Sequence, residues 1–169
     1  MRVFSLAGLA AVLLIPALGQ AQPQGRKPST PEERAKAVDI VQALETDPLG
    51  KEAKEQRNWI VHWLIEVPDI SVKMCTNLLQ PLLDSNKNYS AEISVQMVPS
   101  AAAFIIRNPD KAKDDLAVYT AAVEGSLRTY EAILKVKPKA RWPFLDSLIE
   151  KRNNGALSDY VRQGLAQCK

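Results

Sequence analysis

Proline, asparagine and glycine divide this chain into apolar segments of helical length. The breaks fall at Asp47-Pro48, Pro68, Asn108-Pro109, Pro138 and Asn153-Asn154-Gly155. Because proline lacks a backbone donor and cannot continue a helix, each break ends one segment, and the next begins a few residues later. Short connections of this kind favour antiparallel helical neighbours. The pattern therefore predicts an all-α, single-domain protein of about seven helices, in an antiparallel helical array or irregular bundle.

The first and fifth predicted helices carry the clearest sequence signals. Thr30, Pro31 and Glu33 match a capping box with proline at the first helical position, which predicts a helix start. The fifth helix is expected over residues 108–136, where apolar side chains recur at helical spacing. Its seam consists of Leu116, Thr120, Val123, Leu127, Tyr130 and Leu134. Two shorter helices are expected over residues 141–151 and 157–167.

The second predicted helix, residues 49–67, is apolar around most of its circumference. Its narrow polar stripe consists of Glu55, Asn58, His62 and Glu66. A helix that is apolar nearly all round usually lies inside its domain. The sequence therefore predicts a central position for this helix, with Trp59 and Trp63 mostly buried.

Two segments in the middle of the chain are harder to assign. A third helix is expected over residues 70–84, kinked or broken at Pro81, which lies inside its apolar pattern. Residues 93–97 alternate like a strand, whereas residues 100–106 favour a helix. Since a lone strand would leave its backbone groups unpaired, we predict a helix over residues 89–106 that bends near Pro99.

The N-terminus has the features of a secretory signal peptide. Arg2 precedes an uncharged apolar run, and Gly19-Gln20-Ala21 provides small residues at the cleavage positions. The alternative is a membrane anchor, but a spanning helix needs about 20 apolar residues, and Pro16 ends this run early. We therefore expect cleavage after Ala21, a secreted or periplasmic protein, and no membrane span in the mature chain.

Cleavage defines three parts of the chain and leaves little net charge. The parts are a signal peptide at 1–21, a flexible polar linker at 22–29 and a helical domain at 30–169. Cleavage removes one of the 22 basic residues and none of the 19 acidic residues, which leaves a net charge of +2. That charge is too small to indicate a nucleic-acid partner, and no basic run with interleaved aromatic residues occurs.

The two cysteines, Cys75 and Cys168, predict a disulfide. In an oxidising compartment an even number of cysteines most simply pairs. The alternative is a reactive Cys75 thiol with His62 as its base. Cys75 lies among apolar residues, however, and Glu66 is a nearer partner for His62 on the same helix. We therefore expect a structural disulfide and no catalytic residue.

Metal and cofactor sites are not indicated either. His62 is the only histidine, so paired zinc-ligating histidines and a haem attachment sequence are absent. No nucleophile elbow, glycine-rich phosphate loop or His-Glu-x-x-His sequence occurs. We expect no metal and no cofactor. An enzyme is the less favoured alternative, because acid–base carboxylates need no sequence motif.

The best candidates for a ligand or partner site are aromatic. Trp59 and Trp63 lie one helical turn apart beside His62, and Phe104 could complete an apolar pocket with them. The competing interpretation places both indoles in the core.

The favoured function is an exported, non-enzymatic helical protein that acts through protein–protein interaction with an unidentified partner. The alternatives are a binder of small apolar ligands and a hydrolase without a recognisable motif. An enclosed pocket would favour the ligand binder, and a cleft with paired carboxylates the hydrolase. A broad exposed apolar groove would favour the interaction protein. The sequence leaves the oligomeric state open.

Overall fold

The computed structural model describes residues 26–73 and 75–168, and the predicted signal peptide lies outside them. The α-helices are α1 (Pro31–Thr46), α2 (Ala53–Glu66), α3 (Gln80–Leu83), α4 (Ser90–Val95), α5 (Met97–Arg107), α6 (Asp115–Val136), α7 (Pro143–Asn153) and α8 (Leu157–Leu165). Thr76–Leu79 and Pro109–Lys111 form 3₁₀ turns. The described residues contain no strand, and the prediction of a single all-α domain is confirmed.

Helix α6 lies at the centre of the domain. It contacts α1, α4, α5, α7 and α8, and Val123, Leu127 and Tyr130 of its predicted seam are fully buried. Helix α5 contributes a run of small buried residues, Ser100–Ala103, and Ser100 lies against Gly125 of α6. Helix axes come closer where the side chains between them are small. The core is therefore built around α6.

Helix α2 is peripheral, so the prediction of a central position was wrong. Its buried residues are Ala53, Ile60 and Trp63, and it contacts α1 and α5. Val61 and Ile65 on the same helix are exposed. The longer helix α6 already supplies the surface on which the other helices pack. The second apolar face of α2 is therefore left uncovered by the described residues.

The segment after α2 does not form the helix that we predicted over residues 70–84. Residues 70–73 run without helix, turn or bend, and α-helix occurs only at Gln80–Leu83 after a 3₁₀ turn. Pro81 stands in the first turn of α3, where its missing N–H needs no partner. This proline therefore belongs to a helix start rather than to a kink. The β-branched Ile70 and Val72 favour the extended chain before it.

Residues 89–106 are largely helical, as predicted, but the break comes earlier than Pro99. Helix α4 ends at Val95 and α5 begins at Met97, which leaves Pro99 in the first turn of α5. A proline is tolerated there for the same reason as Pro81. Gln96 lies at the break, fully buried, and its side-chain amide donates to the Ser100 hydroxyl at 3.1 Å. A buried polar group is thus satisfied where the two helices meet.

The predicted helix start at Thr30 is confirmed, whereas α6 starts later than predicted. The Thr30 hydroxyl accepts from the Glu33 N–H, and the Glu33 carboxylate accepts from the Thr30 N–H. Asn108-Pro109 begins only a 3₁₀ turn. Asp114 caps α6 by accepting from the Ala117 N–H at 3.1 Å. Helices α7 and α8 begin and end within two residues of their predicted bounds.

Long-range contacts fix both ends of the described chain. Cys75 and Cys168 are paired as predicted, with Cα atoms 5.7 Å apart. Ser29, which belongs to the predicted linker, is buried. Its N–H and its hydroxyl both donate to the Asp69 carboxylate at 2.8 Å. Ordered packing on the domain therefore begins before α1.

Candidate functional site

The stacked indoles of Trp59 and Trp63 join α2 to the core. Their ring centroids are 5.7 Å apart and their planes differ by 11°. Trp63 is only 6% exposed, whereas Trp59 is half-buried with the Lys36 ammonium 4.1 Å from its ring centre. That distance is typical of a cation–π contact. The indole N–H of Trp63 is buried without an acceptor among the described residues.

The other two candidates, His62 and Phe104, do not join this pair. His62 is exposed, and it has no ion pair with Glu66 among the described residues. Phe104 lies on α5, half-buried against the core, and lines none of the concave surfaces described below. The structure therefore brings two of the four predicted residues together and leaves the other two apart.

An apolar groove, here named the aliphatic groove, lies between α2, α3, α4 and the start of α5. Its volume is about 380 Å³, and its lining consists of Val61, Leu64, Ile65, Val72, Leu83, Ser94, Val95, Val98 and Pro99. Val61 is 36% exposed, Ile65 59%, Leu83 45% and Val95 39%. Among the described residues these are four of the five large hydrophobic side chains that are exposed. No charged side chain lines the groove.

Local sequence features bring these side chains together. Val61, Leu64 and Ile65 share one face of α2 because they are spaced by three and four residues. Pro68 follows the end of α2, and the extended chain after it brings Val72 to the groove. The break between α4 and α5 places residues from both helices, Val95 and Val98, in the same lining.

A second concave surface, here named the lysine pocket, shares Val72 with the aliphatic groove. It has a volume of about 260 Å³, and its lining includes Val72, Lys73, Lys113, Asp115 and Tyr119. The Tyr119 hydroxyl donates to the Lys73 carbonyl at 2.7 Å. Burial, with a smaller contribution from the Asp115 carboxylate, raises the pKa of Tyr119. This phenol therefore remains a protonated donor at neutral pH.

Neither lysine of this pocket is neutralised within the described part of the chain. Lys73 and Lys113 are exposed, and neither forms an ion pair with a described residue. Asp115 supplies one negative charge against their two positive charges. The lysine pocket therefore has an excess of positive charge.

A third concave surface contains Trp63 and two carboxylates, Glu33 and Glu66. Its volume is about 490 Å³, and Arg26 and Lys27 also line it. The Glu33 carboxylate already accepts the Thr30 N–H in the cap of α1. The cap contact therefore holds the Glu33 carboxylate at the start of α1.

The described residues contain neither a cluster of metal-ligating side chains nor a membrane-spanning helix. Residues 26–73 and 75–168 contain no group of three or more histidine, cysteine, aspartate or glutamate side chains placed to hold a metal ion. None of the helices in these ranges is both long enough and apolar enough to cross a membrane.

Sequence reasoning missed the aliphatic groove, although part of its signal was present. Helix α2 has more apolar residues than its buried face contains, and we assigned all of them to the core. The contributions of Leu83 and Val95 depend on the 3₁₀ turn before α3 and on the break at Gln96. Neither feature has a distinctive sequence pattern.

Comparisons with known proteins found no match: no family model, no curated protein and no solved structure matches the chain. Function is therefore inferred from the chain's own surfaces.

Proposed function

We propose that the protein is exported and, without catalysis, binds an aliphatic segment of a partner protein in the aliphatic groove. The observation that carries this proposal is the exposure of Val61, Ile65, Leu83 and Val95 on one concave surface. Apolar side chains that are exposed together on one surface, and not scattered singly, are a feature of interaction sites. An uncharged lining suits a partner whose inserted side chains are aliphatic.

Burial of apolar surface would drive this association. Each Val, Leu or Ile side chain that is fully removed from water contributes about 1.5–3 kcal/mol. Association itself costs roughly 4–15 kcal/mol in translational and rotational freedom. Two or three inserted side chains therefore give weak binding, and further contacts around the groove must contribute.

The paired cysteines support export. Disulfides form and persist in oxidising compartments and are rare in the cytosol, and Cys75 and Cys168 lie at bonding distance. The predicted signal peptide at residues 1–21 indicates the same route. Both features support a location in the periplasm or outside the cell.

A small apolar ligand is the second candidate. The groove volume, about 380 Å³, lies within the roughly 300–1,000 Å³ of ordinary ligand pockets. Such pockets enclose most of the ligand surface, whereas Ile65 and Leu83 at this groove are about half exposed. An open groove favours a macromolecule as the occupant.

Photo-crosslinking in cells that naturally produce the protein tests the proposal. A photoreactive amino acid at position 65 is compared with one at position 136, because Val136 is exposed but does not line the groove. We expect discrete protein adducts from position 65 alone, and their loss when Leu83→Glu is added. An adduct of small-molecule mass would support the ligand binder instead. Equal adducts from both positions, or none from position 65, would contradict the proposal.

A further inference from the structure

We infer that the partner segment binds in an extended conformation along residues 71–73, with aliphatic side chains in the groove and an acidic group at the lysine pocket. This inference rests on the proposed function and specifies the chemistry of the partner. It combines three features that meet at Val72: a free main chain, an apolar groove and an uncompensated positive charge.

Most main-chain groups of residues 71–73 have no hydrogen-bond partner among the described residues, the exception being the Lys73 carbonyl, which accepts from the Tyr119 hydroxyl. Among the described residues, the N–H groups of Ser71, Val72 and Lys73 and the carbonyls of Ser71 and Val72 take part in no hydrogen bond. The segment runs without helix, turn or bend, and both Ser71 and Lys73 are exposed. An extended chain with free donors and acceptors is a template for strand addition, in which the main chain supplies affinity and pockets supply specificity.

Side-chain spacing connects this main chain to the groove. Val72 lines both the aliphatic groove and the lysine pocket, so the two surfaces meet at this residue. Alternate side chains of an added strand point to opposite faces. Every second residue of the partner would therefore face the groove. A helical partner would bury the same aliphatic side chains but leave the free N–H groups of residues 71–73 unpaired.

The positive charge of the lysine pocket indicates an acidic residue in the partner segment. The aliphatic groove carries no charge, whereas Lys73 and Lys113 exceed the single carboxylate of Asp115 in the lysine pocket. Charged groups across interfaces are arranged so that opposite signs meet. An Asp or Glu side chain next to the aliphatic part would satisfy the lysines.

Peptide selection tests the predicted conformation and charge. A library of random linear peptides displayed on phage is selected against the mature chain, residues 22–169, with its disulfide intact. The expected consensus alternates Val, Ile or Leu with polar residues and carries Asp or Glu beside them. Aliphatic residues spaced by three and four, a consensus without an acidic residue, or no enrichment would each overturn the inference.

Backbone methylation of the best selected peptide tests the main-chain pairing. Its amide nitrogens are methylated along one edge in one sample and along the other edge in a second. We expect one edge to lose at least tenfold in affinity and the other to change little. Equal effects on the two edges would contradict strand addition.

Protein variants separate this inference from the proposed function. Lys73→Glu should weaken peptide binding at least fivefold at low salt, and less at high salt because of screening. Ile65→Glu should abolish binding, and Val136→Glu is the exposed control that should leave it unchanged; circular dichroism checks the fold of each variant. Binding that survives Ile65→Glu contradicts the groove and with it the proposed function. Binding that is lost with Ile65→Glu but unaffected by Lys73→Glu contradicts the further inference alone.

Discussion

Gly125 on α6 lies against Ser100 on α5, so closely that a Cβ at position 125 would overlap the Ser100 side chain. The Ser100 hydroxyl donates to the Glu45 carboxylate at 2.6 Å. Arg128 in turn donates two hydrogen bonds to Glu45, at 2.7 and 3.0 Å. The contact between α1, α5 and α6 thus depends on the missing side chain of one glycine.

Gly125→Ala should therefore destabilise the protein. Overpacking a tight contact costs about 1–3 kcal/mol, and alanine offsets roughly 1 kcal/mol of this cost as a better helix former. We expect a net decrease in the free energy of unfolding, measured by urea denaturation. Adding Ser100→Gly should restore part of it, and a double-mutant cycle quantifies the coupling. A stability equal to or above that of the wild type would show that the helices can separate without cost.

Trp63→Ala should cost about 3–5 kcal/mol of unfolding free energy, the usual range for emptying a large buried aromatic site. Trp59→Ala is the matched comparison, because Trp59 stacks on Trp63 but is only half-buried. It should cost clearly less, including about 0.5–1 kcal/mol for the contact with Lys36. If Trp63→Ala kept full stability and lost partner binding, the indole would belong to the binding site instead of the core.

The fold class could be predicted from the sequence because helical spacing and proline breaks are local signals. The seam of α6 and the cap at Thr30 follow from residues within one or two turns of each other. Which helix lies at the centre of the domain is not a local property, because it depends on which apolar faces of all the helices pack into the one core. Helix α2 looked central because its apolar side chains cannot indicate whether they are covered by this chain or by another molecule.

The candidate site was harder to predict for the same reason. Trp59 and Trp63 attracted attention because they are large, yet Trp63 is a core residue that packs α2 against the rest of the domain. The aliphatic groove is built from ordinary residues such as Ile65 and Leu83 on separate elements. Only the three-dimensional arrangement distinguishes them from core residues. The disulfide, by contrast, was predictable because a chain with two cysteines allows a single intramolecular pairing.

Removal of the disulfide should lower stability without changing the fold. Cys75 and Cys168 are separated by 93 positions, and a disulfide that closes a long loop typically stabilises by about 2–4 kcal/mol through the unfolded chain. We expect the double variant Cys75→Ser with Cys168→Ser to lose that amount in urea denaturation, with an unchanged far-ultraviolet spectrum. A reducing agent should destabilise the wild type equally and leave the variant unaffected. Two titratable thiols in the exported protein would contradict the pairing.

The exported protein should begin at Gln22. Gly19-Gln20-Ala21 provides small residues at the positions that signal peptidase requires. N-terminal sequencing and intact mass of the protein from the periplasm or the medium test this prediction. A chain that retains residues 1–21 in the membrane fraction would contradict both processing and export.

Asp69 should make the attachment of the N-terminal segment sensitive to acid. Partial burial opposes its ionisation, but the hydrogen bonds from the Ser29 N–H and hydroxyl and from Arg34 outweigh burial and lower the pKa of Asp69 to about 2. The unfolded pKa is about 3.9, so the folded state binds the proton less readily, and the resulting stabilisation is complete above that pH. It is lost as the pH falls toward 2.

Two measurements between pH 6 and pH 2 test this pH dependence: amide exchange at Ser29 and thermal unfolding. Both are made on the wild type and on Asp69→Asn. We expect the wild type to be better protected and more stable above about pH 4, and the difference to vanish near pH 2. Arg34→Gln removes one donor to Asp69 and leaves both Ser29 donors. It should raise the pKa of Asp69 in the folded state, so that the stabilisation is lost at a higher pH. A difference that stays constant with pH would show that the carboxylate charge does not hold Ser29 against the end of α2.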